Sequence, residues 1–96
     1  ALESERNALY KDIQQAYADA IAAEKKLQSS QKSKTASEES FRYTQNRFNL
    51  GLVTALDFTS AKNKLAQAET DLLQAKYELI FKTKILEFYK GLPLKL

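Results

Sequence analysis

Arg47-Phe48-Asn49-Leu50-Gly51-Leu52-Val53-Thr54-Ala55-Leu56-Asp57 is the stretch that decides the fold. It lies near the midpoint of the 96 residues and is the one interior interruption in a chain that otherwise reads as helix. Gly51 is one of only two glycines, and the single proline, Pro93, falls among the last few residues, so there is one place for the chain to reverse. Glycine tolerates the positive φ that ends a helix. Thr54, with Asp57 three residues on, makes a capping-box-like N-cap pair that uses Asp in place of Glu. One helix is predicted to stop at about Asn49 or Leu50 and the next to start at about Thr54.

Moving outward from the turn, both halves carry a heptad. Before it, Ile13, Ala20, Leu27, Lys34, Phe41 and Phe48 form one line, and Leu2, Leu9, Ala16, Ala23, Ser30, Ser37 and Thr44 form its partner. The alternating spacing of four and three is that of a coiled-coil seam. Residues 29–37 are polar enough to be a linker by composition. The period nevertheless re-enters in phase at Phe41, which predicts continuous helix; the competing expectation is a break near Ser29 to Ser33 and a compact three-helix bundle.

After the turn, Phe58, Leu65, Leu72, Leu79 and Leu86 recur every seven residues, with Ala61, Ala68 and Ala75 at the other seam position. Small residues there let two backbones approach closely, which favours tight antiparallel packing. A second stripe of Leu73, Ile80, Phe81, Ile85 and Phe88 lies outside the seam, and one partner helix cannot cover both. Gly91 as C′ and Pro93 after it end the second helix. The organisation expected is a first helix over 1–49 with a weak point at 29–37, a turn at 50–54, a second helix over 55–91 and an irregular tail at 92–96. At about 1.5 Å per residue, such helices reach roughly 50 to 70 Å each.

Composition narrows the function classes. Two helices of this size have a seam and no globular interior, so burial must be completed by something else. With no cysteine and no histidine, disulfides, thiol catalysis and the commonest metal sites drop out. The formal charge of +3 is modest and the basic residues are interleaved with acidic ones, the pattern of a solvated helix face, which argues against nucleic-acid binding. No apolar run approaches the roughly 20 residues of a membrane-spanning helix, and no signal peptide is visible. The lack of methionine and the start at Ala1 suggest a piece of a longer precursor.

A rod offers no concave, water-restricted place where catalytic groups could converge, so neither an enzyme nor a cofactor is expected. Two features invite a functional reading. Leu50, Gly51, Leu52 and Val53 form an apolar loop where loops are normally polar, pointing to an external contact at the tip, with packing onto Phe48 and Leu56 as the local alternative. Asp57 is the carboxylate next to the turn, and its ordinary role is to complement the helix dipole.

These residues carry a resemblance. Arg47-Phe48-x-x-Gly51, Leu56-Asp57-Phe58-x-x-Ala61 and the ladder Leu65-x-x-Ala68-x-x-x-Leu72-x-x-Ala75-x-Tyr77 resemble the signature of the TolC-type outer-membrane efflux protein family. The likeness is specific from Arg47 to Gly91 and weaker over residues 1–46. It implies that this all-α, long antiparallel two-helix coiled-coil hairpin is a fragment of a trimeric α-helical barrel: a homotrimeric channel of the Gram-negative cell outer membrane, in its periplasmic portion. The channel would be the exit duct of a tripartite export pump with a periplasmic adaptor protein and an inner-membrane pump as partners. Leu50, Gly51, Leu52 and Val53 would then be the adaptor-docking tip, and Asp57 a pore-constriction position. Two positions depart from the pattern: Ser60 stands where many members carry a further Asp, and Phe48 where Tyr is usual. The competing function is a stand-alone hairpin acting as a structural or protein-interaction module. An amphipathic membrane-surface protein is disfavoured because basic and large apolar residues do not segregate.

Overall fold

The computed structural model describes residues 2–91. It consists of two helices, α1 over Leu2–Asn49 and α2 over Ala55–Gly91, folded against each other as a rod of 72 × 19 × 13 Å. The long dimension is the length of α1, whose 48 residues rise about 1.5 Å each. α1 passes through residues 29–37 without a break, so the chain is a hairpin and the three-helix bundle is not formed. α2 takes in Gly91 as its last residue, and the expected tail at 92–96 lies outside the described residues.

The seam follows the heptad. Its fully buried residues are Ala16 and Ala23 on α1 and Ala68, Leu72 and Ala75 on α2, four of them alanines, with Ala75 at 0% exposure. Small side chains at these positions bring the backbones together, and Leu72 is the one large residue among those described that the hairpin alone encloses. Around them Leu9, Ile13, Ala20, Leu27, Phe41, Leu65, Leu79 and Leu86 are half-buried. The alanine row of α2 continues past Ala75 with Lys82 and Tyr89, both half-buried. Lys82 reaches Asp19 of α1 at 4.0 Å, which is how a lysine is accommodated beside the seam.

Register is fixed by contacts along the whole rod. Phe41 meets Phe58 with ring centroids 5.5 Å apart, Lys26 bonds Glu78 at 3.0 Å, and Asp19 faces Lys82. This alignment puts Lys34 level with Ala68, so the polar middle of α1 lies opposite the smallest part of α2. It also explains Leu2, a seam position by period that is 75% exposed: α1 is 48 residues and α2 is 37, and no described residue of α2 is level with it.

The second stripe of α2 is unpartnered. Leu73, Ile80, Phe81 and Phe88 are each more than half exposed, with Tyr77 among them, and Ile85 is half-buried. No helix is long and apolar enough to cross a membrane among the described residues.

Candidate functional site

The tip is built by three local devices. α1 ends in a Schellman arrangement: the Leu52 amide donates to the Arg47 carbonyl and the Gly51 amide to the Phe48 carbonyl, both at 2.9 Å. This geometry requires a left-handed residue between them, and Gly51 supplies φ +74°. α2 starts with a reciprocal pair. The Asp57 amide donates to Thr54 Oγ1 at 3.1 Å, and the Thr54 amide donates to Asp57 Oδ2 at 3.4 Å. The Phe58 amide donates to the Thr54 carbonyl at 3.1 Å, which makes Thr54 the N-cap. Behind the turn, Phe58 stacks on Phe48 at 4.7 Å and lies 5.5 Å from the Phe41 ring. Five residues of loop are thereby held at both ends and from below.

Of the four tip residues singled out from sequence, Leu50 and Leu52 are 73% and 59% exposed and Gly51 is exposed as well. Leu56, on the first turn of α2, is 77% exposed. The extremity of the rod thus presents three largely exposed aliphatic side chains to solvent. Val53 is half-buried and turns toward one flank, where it lines an open groove of about 340 Å³ with Ser40, Tyr43, Arg47, Asp57 and Lys64.

Asp57 therefore belongs to two environments. One of its oxygens serves the N-cap, next to the positive end of the α2 dipole, while the side chain borders the groove. Across that groove Arg47 lies over the Tyr43 ring, 5.3 Å from its centroid, and its Nη1 donates to the Tyr43 hydroxyl at 3.1 Å. Ser60, at the position of the departed Asp, lines the same groove. Sequence reasoning did not single out Tyr43, Arg47 or Lys64 as a group. The signal was available: Tyr43 and Arg47 are four apart on α1, and Asp57 and Lys64 are seven apart on α2, spacings that place each pair on one helix face.

Among the described residues no group of three or more Asp, Glu, His or Cys is placed to hold a metal ion. What the tip offers is a fixed apolar end beside a polar groove in which cationic Arg47 and Lys64 flank anionic Asp57.

No match to this chain is found among curated proteins or among solved structures. A family model does match: residues 1–87 fit the one for outer membrane efflux proteins, and the chain belongs to that family.

Proposed function

We propose that this hairpin is the periplasmic helical segment of an outer-membrane efflux channel, a homotrimer in its full-length form, serving as the exit duct of a tripartite export pump. In this reading the rod runs down through the periplasm of a Gram-negative cell, its tip docks a periplasmic adaptor protein, and Asp57 borders the constriction of the pore. An inner-membrane pump supplies the energy; the duct exports passively. The observation that carries the docking role is the exposure of Leu50, Leu52 and Leu56 at the end of a 72 Å rod, on a loop whose backbone is fixed by its own hydrogen bonds. A turn already ordered in the free hairpin gives up little conformational freedom when a partner seats on it. Family membership over residues 1–87 supports the channel.

Leu52→Asp tests docking without touching the turn, because Leu52 contributes only its backbone amide to the Schellman bond. The variant is expected to retain its helix content by circular dichroism and to lose capture of the cognate adaptor in a pull-down from detergent-solubilised channel. Undiminished capture would remove the tip from the interface. Gly51→Pro is a poor probe, since proline can neither adopt φ +74° nor supply the amide that bonds Phe48.

A further inference from the structure

Three of the residues lining the groove at the tip carry full charges: Arg47 from α1, and Asp57 and Lys64 from α2. The rest are serine, threonine, tyrosine, valine and alanine, so two positive charges stand against one negative. The carboxylate is also the most offset of the three. Its Oδ2 accepts the Thr54 amide at 3.4 Å, and it sits in the first turn of α2, where the helix end itself contributes about half a positive charge. The Arg47 guanidinium is held over the Tyr43 ring and donates to its hydroxyl at 3.1 Å, contacts that orient the charge without cancelling it. Lys64 is exposed and forms no ion pair among the described residues.

Distance decides which charges act together. Lys64 stands seven residues after Asp57, two turns or about 10 Å further from the tip on the same side of α2. At 0.1 M salt the field of a charge decays over about 10 Å. An ion beside Asp57 therefore meets Arg47, Lys64 and the helix end as one set. Asp71, the next charge in that direction along α2 at the same spacing, lies about 21 Å from Asp57 and is bonded by Gln67 at 2.9 Å, so it contributes little there. Ser60 lines the groove between Asp57 and Lys64 and adds no second carboxylate.

We propose that this hairpin's contribution to the constriction is electropositive despite Asp57, and that Lys64 is the residue that sets its preference for small anions over small cations. The inference rests on the exit-duct reading above, in which Asp57 borders the constriction; residues that line one groove with Asp57 open onto the same space. Charged side chains lining a narrow pore select ions by sign. In a homotrimer the set occurs three times around the axis, and three copies of one charge about 10 Å from a passing ion change the anion-to-cation ratio roughly two- to fourfold at 0.1 M salt. At 1 M salt, where the field decays over about 3 Å, the same charges have much less effect.

The test is the reversal potential of the full-length channel in planar lipid bilayers across a KCl gradient, at low and at high salt, for the parent, Lys64→Gln, Lys64→Glu and Asp57→Asn. Lys64 is exposed, so both of its variants are expected to assemble as the parent does. Lys64→Gln is expected to lower the chloride-to-potassium permeability ratio roughly twofold or more at low salt, Lys64→Glu to lower it further and Asp57→Asn to raise it, with all three shifts shrinking at high salt. A ratio that responds to Asp57→Asn and to neither Lys64 variant overturns the inference and leaves the constriction reading standing, as does a rise on Lys64→Gln. A ratio that responds to none of the three removes Asp57 from the constriction and the inference with it. A parent channel that conducts nothing overturns the duct reading itself.

Discussion

Thr54 and Asp57 separate what the tip needs to fold from what it is proposed to offer a pore. Thr54→Ala removes the acceptor of the 3.1 Å bond from the Asp57 amide, and loss of such an N-cap costs about 1 kcal/mol. Asp57→Ala removes the longer 3.4 Å bond and, with it, a negative charge at a helix N-terminus worth about 0.3–1 kcal/mol. Asp57→Asn is isosteric and keeps the acceptor, so it loses chiefly the charge contribution. In urea titrations followed by far-UV circular dichroism at one fixed protein concentration, a slope of about 1–2 kcal/mol/M turns 1 kcal/mol into a midpoint shift of roughly 0.5–1 M. The expected order of midpoints is parent, Asp57→Asn, then Thr54→Ala and Asp57→Ala together. The double alanine variant should lose less than the two single losses combined, because either bond alone positions the Thr54 amide and hydroxyl that the other uses. Thr54→Ala unfolding with the parent, or strict additivity, would refute the reciprocal cap. If the ordering holds, Asp57→Asn is the variant with which to test the constriction, since it removes the charge and leaves the turn.

Gly51→Ala places no atom in contact with a neighbour, because nothing lies within 4 Å of the added Cβ, so its cost is the left-handed backbone alone, about 1–2 kcal/mol, visible as a lowered urea midpoint. Ala75→Leu forces extra carbons into the tightest point of the seam, where exposure is 0%, and should cost about 1–3 kcal/mol in the same assay. Lys34→Leu should raise the melting temperature: the lysine is half-buried on the seam, its one ion pair among the described residues is the 3.9 Å contact to Glu38 on the same helix, and leucine adds about 1 kcal/mol of burial against Ala68.

The hairpin was legible because its signals are local and periodic. A glycine at C′, a threonine three residues before an aspartate and a heptad that keeps its phase each act within a few residues, and together they favour the hairpin over the three-helix bundle. The polar run at 29–37 misleads only on composition; phase, which carries across it from Leu27 to Phe41, is the stronger signal because it reports geometry. Two things were harder to read. Lys82 and Tyr89 continue the alanine row although neither resembles a seam residue, since a lysine stem can lie on apolar surface while its head reaches Asp19. The groove of Tyr43, Arg47, Asp57 and Lys64 combines residues from both helices, and its members meet only once the register is fixed by contacts that lie between helices.

The hairpin's own restraints are distributed unevenly, and the distribution matches what each end is proposed to do. At the tip, two terminal motifs and the Phe41–Phe58–Phe48 cluster act within one chain, so the loop keeps its shape without neighbours. Toward the other end, Tyr77, Ile80, Phe81 and Phe88 are all more than half exposed, and an α2 that is apolar on its seam side and its outer side is the pattern of a helix enclosed by others. Burial at about 25 cal/mol per Å² of apolar surface makes covering those rings a driving force for assembly, while the tip leucines, too few to drive assembly on that scale, remain free for a reversible partner. A rod that is self-sufficient at the docking end and dependent on neighbours at the other can sit permanently in a wall and still engage and release an adaptor.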